Sequence, residues 1–210
     1  MNIDEYKEPI IVDMTNFKLN ISEILNEERS KKLLFRHIVF TREDIAFLDL
    51  SLDVVKFQHC LIPKDFFYGI SRMINNLKSL LLDDNYELDT KQVLNVLRSN
   101  KRLEHLMIHV SSDVQKVFGS FVSRSKTLTK LILSHVEKNP NVLKILVSNN
   151  IINNFVMMHT NVDPSLSNDL YGLVQDNKNI TRYAFIDCTF EEDELYDLPY
   201  ILGISPLLGI

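Results

Sequence analysis

Apolar residues recur along the chain in a short phrase, LxxLxL with aliphatic or aromatic substitutes. It reads LDVVKF from Leu52, LKSLLL from Leu77, LEHLMI from Leu103, LTKLIL from Leu128, INNFVM from Ile152 and ITRYAF from Ile180. The starts are 25, 26, 25, 24 and 28 residues apart, and a fixed period in this range predicts stacked supersecondary units. Within each phrase the fourth and sixth positions are apolar and alternate with other residue types, the period-2 signature of a short strand with one buried face.

Between phrases the period changes to that of a helix. Phe66, Phe67, Ile70, Met73 and Ile74 fall on one helical stripe, as do Val93, Leu94 and Leu97. Val114, Val117, Phe118, Phe121 and Val122 form another, followed by Leu143, Ile145 and Leu146, then Leu170, Leu173 and Val174. Each predicts a helix with one face inward. Asn139-Pro140 and Asp163-Pro164 predict capped helix starts, a side-chain acceptor followed by a ring already at the helical φ. Asn75, Asn76, Asn100, Asn149, Asn150, Asn177 and Asn179 precede the next strands, where Asn is expected for its tolerance of left-handed backbone angles.

Stacking strand–turn–helix units buries what one unit cannot bury alone. The predicted fold is therefore an α/β right-handed solenoid, with parallel strands on the concave side and helices on the convex side. Residues 1–50 are expected to form irregular N-terminal capping repeats, with strands at PIIVDM from Pro9 and FRHIVF from Phe35 and a helix at SEILNEERSKKLL between them. Repeats of about 25 residues follow over 51–204, including an acidic helix in 191–202, and residues 205–210 are read as a terminal strand of the same single domain.

The ninth template position holds Cys60, Asn85, Thr160 and Cys188, with Ser111 and Val136 in the other two repeats. With helix-containing repeats of this length, the chain resembles the ribonuclease-inhibitor-like branch of the leucine-rich-repeat superfamily, which includes the Ran GTPase-activating proteins and the tropomodulin repeat domain. The resemblance implies that Asn or Cys at this position bonds neighbouring backbone groups inside the loop. No residue motif for ribonuclease binding, Ran activation or actin capping is present, so none of those activities carries over.

Positions alternating with the buried ones should face the concave surface. The central column reads Lys56, Leu81, Met107, Ile132, Val156 and Ala184, an apolar stripe expected to meet water and hence a partner. Val54, Ser79, His105, Lys130, Asn154 and Arg182 flank it on one side, and Gln58, Asp83, His109, Ser134, Met158 and Ile186 on the other. The expected partner-binding residues are Leu81, His105, Met107, His109, Lys130, Ile132, Val156, Met158 and Arg182, with Lys130 and Arg182 as charged anchors.

Charge adds an alternative. The net charge of -5 is unevenly distributed, -3 over residues 1–60, +5 over 61–150 and -7 over 151–210. Arg98, Lys101, Arg102, Lys116, Arg124 and Lys126 form a basic patch near helix ends, suited to an RNA-containing particle and to salt-sensitive binding.

Catalytic chemistry finds no footing. GxSxG, HExxH, P-loop and GxGxxG patterns are all missing from the sequence. Both cysteines are expected at buried structural positions as inert thiols. His59, Asp84, His135, His159 and Asp187 share the eighth position, but Val110 interrupts the row and a tetrahedral site needs convergence, so no metal or cofactor is expected.

Two cysteines far apart, an acidic N-terminus and no long apolar run lead us to expect an intracellular, cytoplasmic chain without a membrane partner or a small-molecule substrate. The expected function is a non-catalytic adaptor or regulatory subunit that grips a protein partner through its concave strand surface.

Overall fold

The computed structural model describes residues 10–13, 31–48, 51–137 and 141–190. The capped helix start at Asn139-Pro140, the acidic helix in 191–202, the strand at 205–210 and most of the helix at 22–34 lie outside these residues. The chain divides into two compact units, Met1–Ile108 and His109–Ile210, and its architecture is mixed α/β.

In unit 1 the strands are β1 (Ile10–Asp13), β2 (Lys32–Arg36), β3 (Val54–Gln58), β4 (Ser79–Asp83) and β5 (His105–His109), the last ending at the division between units. They are parallel and lie side by side in chain order. Register sets Val55 beside Leu80 and Leu80 beside Leu106, so the fourth positions of successive phrases form one column. These side chains are fully buried.

The upstream strand differs from expectation. β2 pairs Leu33 with Val55 and Phe35 with Phe57, so its phrase is SKKLLF from Ser30 and not FRHIVF. Lys32, Leu33 and Leu34 belong to a strand, not to the end of a helix. The reason is packing. Phe35 stacks on Phe57 at 5.2 Å, and together with Phe40, Phe66 and Phe67 these rings form a buried cluster that the later register would break apart.

Two one-turn helices, α1 (Phe66–Gly69) and α2 (Ser71–Ile74), and the longer α3 (Thr90–Leu97) cover this core. All the residues of the first two helical stripes are buried. Asp89 caps α3 by accepting from the Gln92 N–H at 3.0 Å. Buried Gln92 in turn accepts from the Phe67 N–H and donates to Asp65, tying the helices together.

Unit 2 contains β6 (Lys130–Ser134), β7 (Asn154–Met158), β8 (Asn161–Val162), β9 (Arg182–Ile186) and β10 (Thr189–Phe190). β7 lies between β6 and β9, all parallel, with Leu131, Phe155 and Tyr183 in one column, and β8 pairs with β10. Helices α4 (Gln115–Arg124), α5 (Asn141–Val147) and α6 (Pro164–Asp176) supply the other layer. Asp163 caps α6 through the Leu166 N–H at 2.9 Å, with Pro164 opening the helix, as the sequence predicts. No helix among the described residues is long and apolar enough to cross a membrane.

Asparagine serves the helix exits differently from expectation. None of the described residues with positive φ is an asparagine; six of the eight are His37, His59, Asp84, His135, His159 and Asp187, one strand exit after another. Histidine and aspartate thus take the left-handed role. Asparagine works through its side-chain amide. Asn100 donates to the Ile74 and Leu77 carbonyls and accepts from the Arg102 and Leu103 N–H groups. Asn177 repeats the pattern with Leu146, Asn149, Asn179 and Ile180, and Asn149 with Val122, Ile151 and Ile152.

Candidate interaction surface

The strand face turned away from the core is built by the third, fifth and seventh template positions, held in columns by the parallel register. In unit 1 the fifth-position column runs Leu34, Lys56, Leu81, Met107. In unit 2 it runs Ile132, Val156, Ala184. The columns match the sequence expectation. Their exposure does not: Met107, Ile132 and Val156 are only 4%, 9% and 5% accessible. A side chain in mid-strand has neighbours about 4.8 Å away on adjacent strands and further ones two residues along its own strand, and these close over it. Leu81 and Ala184 are half-buried.

The flanking columns carry the accessible groups. His105 and Arg182 are exposed, and Lys130, Asn154, His109 and Met158 are half-buried. Ile186, at 43%, is among the most exposed large apolar residues. In unit 2, register brings Lys130, Asn154 and Arg182 side by side, and Ser134, Met158 and Ile186 on the opposite flank.

Unit 1 places a polar network on the corresponding face. Arg36 donates to Gln58 at 3.2 Å, Gln58 donates to Asp83 at 3.2 Å, and the Lys56 ammonium lies 2.7 Å from the same Asp83 carboxylate. Asp83 is buried. The sequence reading missed this network because it assigned Arg36 to another phase. The signal was a lysine at the fifth position and an aspartate at the seventh of the next phrase, a diagonal cross-strand pair.

Ninth-position residues bond neighbouring strands. Cys60 Sγ donates to the Phe35 carbonyl, Asn85 Nδ2 to that of Phe57 and Cys188 Sγ to that of Met157, each the sixth residue of the preceding phrase. Thr160 Oγ1 donates to Met158 and accepts from the Val136 N–H. Burial pushes both thiols above their ordinary pKa, which leaves little thiolate for nucleophilic work. Cys60 is wholly buried, whereas Cys188 remains partly accessible, contrary to the expected full burial.

All six residues of the basic patch are exposed. Arg98, Lys101 and Arg102 belong to unit 1, and Lys116, Arg124 and Lys126 to unit 2. Arg102 is engaged by Asp53 at 3.2 Å, with Lys78 3.9 Å from the same carboxylate. No protein-family model matches the chain, and no curated protein matches it significantly.

Proposed function

We propose that the chain is a divergent leucine-rich-repeat solenoid of the ribonuclease-inhibitor-like kind. In this reading it is a non-catalytic adaptor or regulatory subunit that grips a protein partner through its concave strand face. Strand order supports the solenoid, since a doubly wound nucleotide-binding sheet reverses its strand order at a switch point, and within each unit the large parallel sheet follows chain order without reversal. The repeated ninth-position bond to the preceding carbonyl supports it further.

One observation carries the functional reading. On three register-paired strands, unit 2 sets two cations and an amide, Lys130, Asn154 and Arg182, on one flank and the apolar pair Met158 and Ile186 on the other, with Ile132, Val156 and Ala184 between them. Unit 1 links the charges of its fifth and seventh columns to one another through Arg36, Gln58, Lys56 and Asp83. The grip therefore belongs to unit 2, and the partner is a protein segment that crosses the strands' outward face with carboxylates toward the Lys130–Arg182 flank and apolar side chains toward the Met158–Ile186 flank.

The test is affinity capture from the native cell with the wild-type chain, with Arg182→Glu/Ile186→Asp, and with Arg98→Glu/Arg124→Glu. Loss of the same co-purifying protein with the first pair, and its retention with the second, is expected. The opposite result, with loss of an RNA-containing particle on raising salt, replaces this reading with docking through the basic helix ends. Arg102 counts against that alternative, because its charge is already paired with Asp53.

A further inference from the structure

The eighth-position residues form not one long row but the same ordered triplet twice. Unit 1 has His37, His59 and Asp84, and unit 2 has His135, His159 and Asp187. All six residues have φ between 47° and 54°. A shared backbone state explains why each side chain leaves its strand end in the same direction. In both units the two imidazoles lie face to face, 5.1 Å apart and tilted by 12° for His37 and His59, 5.3 Å and 24° for His135 and His159.

Backbone bonds fix this spacing. The His37 N–H donates to the Gln58 carbonyl and that of His59 to Asp83, while the His135 N–H donates to Met158 and that of His159 to Ile186. His37 and His135 are exposed, and His59 and His159 are half-buried. In unit 2 the Asp187 carboxylate lies 3.6 Å from His159 Nδ1. That distance is longer than a hydrogen bond, so the carboxylate stands on the Nδ1 side of the ring without fixing it, and Nε2 is the nitrogen left for a metal ion. His109 lies 6.3 Å from His135 but at 51° and in the seventh column, outside the repeated triplet.

We propose that each histidine pair is a chelating site for a divalent late-transition ion such as Zn²⁺, Ni²⁺ or Cu²⁺, with Asp187 drawn to His159 when the unit 2 site is filled. Two imidazole nitrogens on one tetrahedral ion stand about 3.3 Å apart, given zinc–nitrogen distances near 2.0–2.1 Å. Rings on adjacent strands, a strand spacing of about 4.8 Å apart, reach that separation by turning about their side-chain torsions. Paired imidazoles select borderline ions over Mg²⁺ and Ca²⁺, which take oxygen ligands. As they stand the nearly parallel rings present their nitrogens side by side, and it is this turn that would bring them together on one ion.

The left-handed backbone supplies a clean test, because asparagine tolerates it and removes the imidazole. Calorimetric titration of the full chain with ZnCl2 is expected to give two equivalents bound. His59→Asn and His159→Asn each leave one equivalent, and the double variant leaves none, while His105→Asn and Cys188→Ser keep both. Asp187→Asn is expected to weaken the unit 2 site about tenfold without removing it. Circular dichroism matching the wild type keeps the Asn variants interpretable. Two equivalents persisting in the double variant, no saturable binding by the wild type, or an equal response to MgCl2 overturns the proposal.

Discussion

Units 1 and 2 each align their own strands in parallel register and differ in what they place on the outward face. Unit 1 fills the seventh column with Arg36, Gln58 and Asp83, linked to one another and to Lys56. Unit 2 fills it with Ser134, Met158 and Ile186. The inward residues of the two are interchangeable in kind, aliphatic or aromatic and largely buried. Because side chains alternate across a strand, the inward set dictates register while the outward set is free to specialise. A self-satisfied polar face has little to offer a partner, whereas a face with cations on one flank and apolar side chains on the other has contacts to give.

The cores provide the largest test of that comparison. Phe57→Ala removes the centre of the unit 1 aromatic cluster, and Phe155→Ala removes a fully buried ring of unit 2 that meets only Tyr183 among the described aromatic pairs. Each is expected to cost about 3–5 kcal/mol in urea denaturation, with Phe57→Ala the larger. The reverse order would mean that the aromatic cluster is not what distinguishes the units.

Asparagine amides should matter in both units alike. Asn100→Ala and Asn177→Ala each strand two carbonyls and two N–H groups, for about 2 kcal/mol or more by the same measurement. A loss under about 0.5 kcal/mol would show that water replaces the amide.

Glycine packing separates the units again. A Cβ at Gly69 would stand 2.6 Å from Ile45, against 3.1 Å from Ile145 for Gly119. Gly69→Ala is expected to destabilise by about 1–3 kcal/mol, with the clash relieved when Ile45 is cut back to Ala, since Cγ2 at 2.7 Å would remain in a valine. Gly119→Ala should fall below that, since the Ile145 side chain needs to move only slightly.

The smallest expected effect is in titration. Burial pushes the Tyr183 hydroxyl up to about 12, and that hydroxyl has no hydrogen-bond partner among the described residues. A raised acid pKa means that the folded state disfavours the phenolate. Stability is therefore unaffected below pH 10, the ordinary tyrosine value, and falls as pH climbs from there toward 12. Ultraviolet titration should show a late-titrating tyrosine that Tyr183→Phe abolishes.

Much of the strand layout was legible because each phrase carries its own period. Val55 and Phe57, or Leu131 and Leu133, announce a half-buried strand without any knowledge of the neighbours. The phase of β2 was not legible. Lys32-Leu33-Leu34-Phe35-Arg36 and Phe35-Arg36-His37-Ile38 both alternate acceptably, and only the rings waiting at Phe40, Phe57 and Phe66 decide between them. The columns of the candidate surface were legible, but accessibility was not, because it depends on which side chains stand two residues away and one strand across. Met107 reads as an outward residue in sequence and is one, yet its neighbours leave it only 4% accessible.

The amides and thiols that join successive strands all reach backwards. Asn100 serves Ile74 and Leu77, Asn85 serves Phe57, Cys60 serves Phe35, Asn177 serves Leu146, and Cys188 serves Met157. During synthesis from the N-terminus, each segment therefore leaves carbonyls that are capped only by the next, 23 to 31 residues later. A ribosome paused within that interval holds a chain whose newest backbone acceptors are still met by water. Growth of the structure is in this sense vectorial, every addition sealing what came before it.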